Sequence, residues 1–300
     1  MAQPESAAVT AEPRAEPGSG AGERHQRPGA ARYGIVFWLA VAWLVIIGCC
    51  AAFAQWLPVG DPEEINVRDM LLAPSAEHLL GTDGTGRDVF ARLVHGARVS
   101  VVVSLAAVAF GMLVGGTLGI MAGFFRGRFE TVVMAVVDVI LAFPGLVLLL
   151  ALVAYVGQSL TAIALVIGFL SIPIYARVAR ANTLSVAERE FVLAARAMGA
   201  KRRRLLVSEV APNVVLPLLA YALVATGVII ILEGSLAFLG LSVQPPTPTW
   251  GSMIAEGKRH LDTDPHVAAF PAVVMFLTVL SLNLVGDRLR NRFDVREANV

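Results

Sequence analysis

The sequence predicts an all-α membrane protein with six transmembrane helices. Three observations carry that prediction. Apolar residues (AVILMFWYC) fill 56% of the 300 positions and charged residues only 16%, an excess beyond that of ordinary globular domains. Six runs reach the ~20 residues that a helix needs to cross a ~30 Å hydrocarbon layer. Within these runs, apolar residues surround the helix and leave no polar stripe at 3.6-residue spacing.

Taken in order, residues 1–32 are rich in Ala, Pro, Gly and charge and contain no aromatic side chain. They are expected to form a disordered cytoplasmic tail, because they offer too little apolar surface to offset ordering entropy. The spans are expected at 33–57, 98–124, 131–156, 160–178, 214–237 and 267–286. Between the first two lies an extracytoplasmic segment, 58–97, with an amphipathic stretch at 87–97. A loop at 179–213 separates spans four and five, and a cytoplasmic tail follows at 288–300. Ile46-Ile47-Gly48-Cys49 resembles a lipoprotein cleavage box, and Ala52-Phe53-Ala54 a signal-peptidase site. The charged leader is too long for an n-region and the apolar run overshoots both sites, so an uncleaved first span is expected.

Charge sets the orientation. With the N-terminus inside, inner segments and the span ends that adjoin them hold 18 Lys and Arg, and the outer ones 6. That bias predicts cytosolic termini and a cytosolic 179–213 loop in a multi-pass membrane protein. The net charge of +1 gives no basis for a nucleic-acid partner.

Gly111, Gly115, Gly119 and Gly123 recur every fourth residue in span two, a ladder that lets a neighbouring helix backbone approach closely. Pro144, Pro173, Pro217 and Pro271 each remove a backbone donor and can bend spans three to six. Asp138 in span three and Glu233 in span five are charges within apolar runs. Such groups face the bundle interior or water, as part of a substrate path or gate or as structural partners.

Several chemistries are excluded. No G-x-x-x-x-G-K-[ST] loop is present, so the chain does not bind ATP in the P-loop manner. Gly81, Gly84 and Gly86 have the wrong order for a dinucleotide fingerprint and are expected to form turns. Neither G-x-S-x-G nor H-E-x-x-H occurs. His25, His78, His95, His260 and His266 have no metal spacing, and the adjacent Cys49 and Cys50 exclude a disulfide framework.

The segment SVAEREFVLAARAMGAKRRRLLVSEVAP, residues 185–212, is soluble in character. Ser185 and Glu188 have capping-box spacing, and Glu188, Glu190 and Arg196 complement a helix dipole. Gly199 suits a C-terminal position with positive φ. Phe191, Ala194, Ala195 and Met198 form an apolar stripe, and a basic second helix is expected from Lys201 to Val210. Two readings stand on these residues: a hairpin resting on anionic headgroups, or a knob anchored by Phe191 in a cytosolic partner.

The same residues resemble the inner-membrane permease subunits of binding-protein-dependent ABC importers, of the DppC/OppC type in the peptide/nickel family. That superfamily carries an E-A-A-x₃-G-x₉-I-x-L-P loop. Here Leu193-Ala194-Ala195 precedes Gly199, and Ala211-Pro212 falls at the L-P position. Leu193, Glu209 and Ala211 depart from the pattern. The peptide-type form E-R-E-[FY]-V-x-A-A-R-A-x-G is matched at 188–199. Gly81-Thr82-Asp83, Gly86-Arg87-Asp88-Val89, the run from Val137 to Pro144, and Ser235-Leu236-Ala237-Phe238-Leu239-Gly240-Leu241 agree as well.

The resemblance implies the type I ABC importer permease fold, with a cytoplasmic coupling helix ending at Gly199. Glu188, Arg189, Phe191, Ala194, Ala195 and Gly199 would contact an ATPase. It implies a non-catalytic subunit for dipeptides or oligopeptides, or alternatively for nickel or another small cargo. The implied partners are a second homologous permease subunit in a heterodimer, two cytosolic ATPase subunits that bind ATP and Mg, an extracytoplasmic binding protein and membrane lipid. No cofactor is expected in this chain. A secondary transporter would show inverted repeats and several intramembrane ionisable groups, and neither is visible.

Overall fold

Apolar runs become helices throughout. The computed structural model describes residues 34–298, and the tail expected at 1–32 lies outside the described residues. The elements in order are α1 (Ile35–Phe53), α2 (Val89–Phe125), α3 (Gly127–Ala142), α4 (Gly145–Val156), α5 (Leu160–Ala187), α6 (Glu190–Ala197), α7 (Arg202–Arg204), α8 (Ala211–Phe238), α9 (Trp250–Gly257) and α10 (His266–Ala298). Among the described residues no strand exceeds an isolated bridge between Thr82 and Asp88. Five helices are long and apolar enough to span a membrane, and the bent α3–α4 pair makes a sixth.

Four boundaries differ from expectation. The amphipathic stretch at 87–97 and the second span are one helix, α2, started by Asp88, whose carboxylate accepts from the Ala91 amide at 2.8 Å. The third span, expected at 131–156, is broken. Pro144 drives the preceding residue out of the helical region, so Phe143 is extended at φ −81° and ψ 141°, and α4 leaves at 88° to α3. By contrast, Pro173, Pro217 and Pro271 sit inside continuous helices. Finally, α5 runs past 178 to Ala187, and α10 runs past 287 to Ala298.

The central seam joins α2 to α5. A methyl group added at Gly111 would lie 3.1 Å from the Gly168 carbonyl oxygen, and one at Gly123 would lie 2.9 Å from that of Arg180. Gly115 and Gly119 press still closer, on the Ile172 and Ala176 carbonyls. The partners step by four on both helices and rise together, so α2 and α5 run parallel with backbone against backbone. Around the seam, Val103, Ala107, Leu149, Val153, Ile163, Ile167, Leu218 and Ile229 join α2, α4, α5 and α8 in one buried cluster. On the other side α1 lies on α10, where Trp43 Nε1 donates to Thr278 Oγ1 at 3.1 Å. The fully buried Trp250 of α9 donates its indole N–H to the Leu93 carbonyl of α2 at 3.1 Å.

The two ends of this bundle differ. One carries the loops at 54–88 and 239–265. The other carries Arg126, the α5–α6 turn and residues 201–204, and is termed the basic end.

Gly115→Leu should overpack the seam and destabilise the protein by at least about 1–3 kcal/mol, read as a lower Tm in detergent. Gly116 meets nothing within 4 Å, so Gly116→Ala should be neutral or stabilising by up to about 1 kcal/mol.

Candidate functional site

The basic end is built from the last turns of α5. Ser185, expected to begin a new helix, is instead inside α5, and its predicted capping box with Glu188 does not form. Thr183, Val186 and Ala187 are buried against the bundle, and this packing carries α5 through the signal. The Glu188 carboxylate accepts from Arg126 Nη2 at 2.7 Å. The next helix, α6, therefore starts two residues later, with Arg189 at its N-cap and no side-chain cap. It has eight residues, shorter than the sequence led one to expect.

Its end conforms to expectation. Gly199 has φ +82°. Its amide donates to the Arg196 carbonyl and that of Ala200 to the Ala195 carbonyl, both at 3.0 Å, the paired bonds of a Schellman closure. Residues 201–204 turn the chain, and a π-helical turn, Leu205–Val210, leads into α8.

The apolar stripe divides in two. Val192 is fully buried with Val186, Leu205 and Val210, and Ala195 packs on the same cluster. Phe191 is 37% exposed and Met198 82%, and Ala194 is exposed between them. The helix is thus pinned to the bundle along one face and shows a small apolar face, Phe191, Ala194 and Met198, on the other.

Two ion pairs join α3 to α5 above this hairpin. Arg180 Nε donates to Glu130 Oε1 at 2.6 Å, and Arg177 Nη2 to Asp138 Oδ1 at 2.6 Å. The Asp138 and Arg177 side chains remain 62% and 54% exposed. Glu233 is the opposite case. It is 1% exposed, accepts from the Ser242 hydroxyl and lies beside Thr249. These contacts tie α8 to the loop before α9. Among the described residues, no group of His, Cys, Asp and Glu could hold a metal ion.

Residues 115–298 match the family described as the binding-protein-dependent transport system inner membrane component. The chain belongs to this family. The glutathione transport permease GsiD of Pectobacterium atrosepticum is 38% identical over 253 residues, 84% of each chain. The di/tripeptide transport permease DppC of Pseudomonas aeruginosa is 38% identical over 264 residues, 86% of this chain and 87% of that one. In three dimensions the chain is similar to one from the MetNI methionine ABC transporter in inward-facing conformations. The TM-score is 0.54 at 19% identity, over 67% of this chain and 95% of that one, a likeness of fold. As a member of the family, the chain is a multi-pass permease component of a transport system.

This inner-membrane component has a second polar centre that sequence reasoning missed, at the loop-bearing end. Arg87 Nε donates to Asp83 Oδ2 at 2.8 Å and Arg87 Nη2 to Glu256 Oε2 at 2.9 Å. Arg92 reaches the same two carboxylates at 3.4 and 3.0 Å. Asp83, Arg87 and Arg92 are buried. Gly81 and Gly86, at φ +77° and +78°, make the turns that bring Asp83 to Arg87. Burial opposes charge on Asp83. Hydrogen bonds from Thr85 and the charges of Arg92 and Arg87 outweigh it and hold the carboxyl below the usual aspartate range. An open cavity of about 660 Å³ lies beside the network, lined by Arg87, Glu256, Gln158, Gln244, Arg259 and His260 among others. The signal in sequence was the Asp83/Arg87 spacing; its partner Glu256 lies too far along the chain to be read.

Asp83→Asn leaves two buried guanidinium groups short of a counter-charge and should cost about 3–5 kcal/mol, seen as a lower Tm. Because the folded pKa of Asp83 is depressed, its stabilisation is complete above the ordinary aspartate pKa and lost as pH falls through the folded value. The Tm of the native protein should therefore fall on acidification below about pH 4, and that of Asp83→Asn should fall less.

Proposed function

We propose that this chain is a membrane-spanning permease subunit of an ATP-driven importer for dipeptides or oligopeptides. It forms half of the translocation path and is driven through α6 by separate ATPase subunits. The single observation that carries the coupling role is the two-faced α6. Val192 and Ala195 fasten it to the bundle, while Phe191, Ala194 and Met198 are presented outward. A compact apolar anchor on a fixed helix is what a groove in a partner protein recognises. Glu188 and Gly199 support the role indirectly: the first ties the turn to Arg126, and the second closes the helix.

The cargo class follows from the relatives named for dipeptides, tripeptides and glutathione, all peptides of a few residues. In this reading the chain has no catalytic residue and no cofactor of its own. ATP and Mg bind to the ATPase subunits. A second, homologous permease subunit completes the passage as a heterodimer, and an extracytoplasmic binding protein delivers cargo to the loop-bearing end. The Lys and Arg bias of the basic end supports a cytosolic position for it and for both termini, in a bacterial cytoplasmic membrane.

Phe191→Asp and Met198→Asp should each reduce co-purification of the ATPase subunits and peptide uptake at least tenfold. Ser185→Ala, which removes no cap, should leave both unchanged. Native co-purification of the two aspartate variants would refute the coupling role and favour a hairpin that merely lies on lipid.

A further inference from the structure

The α3–α4 segment holds charges and broken backbone where a lipid-facing wall would hold neither. Asp138 lies between the apolar runs 132–137 and 139–143, and the glycine seam sets the depth of its partner. Arg177 follows Ala176, which abuts Gly119; Gly119 is about 9 Å of helical rise from the end of α2 at Phe125. The pair is therefore inside the apolar slab, yet both side chains are more than half exposed.

Three surroundings are open to such a pair. Lipid is excluded by the expense of ionised groups in hydrocarbon. Arginine can reach toward headgroups along its stem, but the short side chain of Asp138 cannot follow. A dry interface with another subunit would strip water from both charges, and that desolvation opposes the gain from pairing. Water satisfies both without penalty. The nearby break in the span agrees. Residues 143–146 are exposed, and α4 begins at Gly145 without a side-chain cap. Irregular backbone at membrane depth persists only within protein or along a water-filled cavity.

On the importer reading given above, we propose that Asp138 and Arg177 line the aqueous passage and are exchangeable contacts for the two charged ends of a peptide. Arg177 takes the carboxylate and Asp138 the ammonium group. The planar guanidinium fork matches a carboxylate with two parallel hydrogen bonds, and a zwitterionic peptide presents the same charges that the pair presents to itself. Exchange between an exposed ion pair and such a peptide replaces like contacts with like. The site is consequently weak, as a transit site must be if cargo is to leave it.

The test uses the whole complex in proteoliposomes: both permease subunits, the ATPase subunits and the binding protein, with radiolabelled alanyl-alanine. In a Cys49→Ser, Cys50→Ser background, Asp138→Cys should react with a positively charged methanethiosulfonate in the ATP-free or the ATP-bound state. Saturating peptide should slow that reaction at least threefold. Ala135→Cys, exposed one turn away on the same face of α3, leaves the pair intact and gives the same readout if Asp138→Cys fails to assemble. The double variant Asp138→Asn, Arg177→Gln should co-purify with the ATPase subunits but import at least tenfold more slowly. Arg177→Lys should keep at least a third of native uptake. No thiol reaction in either state, or native uptake by the double variant, overturns the proposal. A native complex that lacks the ATPase subunits or ATP-dependent uptake overturns the importer reading instead.

Discussion

The architecture depends on one contact, the backbone-to-backbone approach of α2 and α5. Four carbonyls of α5, on Gly168, Ile172, Ala176 and Arg180, face four glycines of α2 in an unbroken four-residue step. In a bilayer, apolar side chains gain little by leaving lipid for one another, so close packing of this kind must hold helices together. The seam extends to the last turns of α2, which fixes α5 as far as its own last turns. Everything at the basic end hangs from that extension: Arg180 reaches toward α3, and the short turn at 188–189 sets the start of α6.

What the sequence revealed follows from what was local. Six apolar runs, the four-residue glycine step and the positive φ of Gly199 are properties of neighbouring residues, and each is legible in order along the chain. The misread features were decided elsewhere. Ser185 and Glu188 have capping-box spacing, yet Thr183, Val186 and Ala187 gain more by continuing α5 into the core, and Glu188 finds Arg126, 62 positions away. Pro144 was one of four prolines within reach of spans three to six, and only there does the helix break. The Asp83, Arg87, Arg92 and Glu256 network needs α9 folded back onto α2, a contact over more than 160 residues.

The division of α6 into two faces gives the basic end its mechanical sense. A helix free on all sides would rotate when pushed, and one buried on all sides would have nothing to push against. Here Val192 and Ala195 fix one face, Schellman bonds close the end, and the chain re-enters the bundle through a π-helical turn onto α8. Displacement of the outward face would therefore pass into α5 on one side and α8 on the other. Those are the helices that meet in the central cluster, where Tyr175 and Tyr221 stack edge to face at 5.5 Å.

Charge is handled in opposite ways at the two ends, and the contrast bears on which end stays fixed. At the loop-bearing end two guanidinium groups and two carboxylates are locked together, three of the four side chains buried, so any motion that parts them exposes an unpaired charge to a poorly solvating interior. Such a network resists separation and keeps the turn at 81–88, α2 and α9 as one body. Toward the basic end the pairs Arg126–Glu188 and Arg177–Asp138 are each at least half exposed, and of the described pairs there only Arg180–Glu130 is more sheltered. Water stands ready to replace either partner, so these contacts are worth at most about 1 kcal/mol and can open and re-form. A bundle that alternates needs both kinds of bond, stiff ones within each moving body and soft ones where cargo or a driving partner must intervene. The distribution seen here places the soft pairs on α3, α5 and the hairpin, and the stiff set around α9.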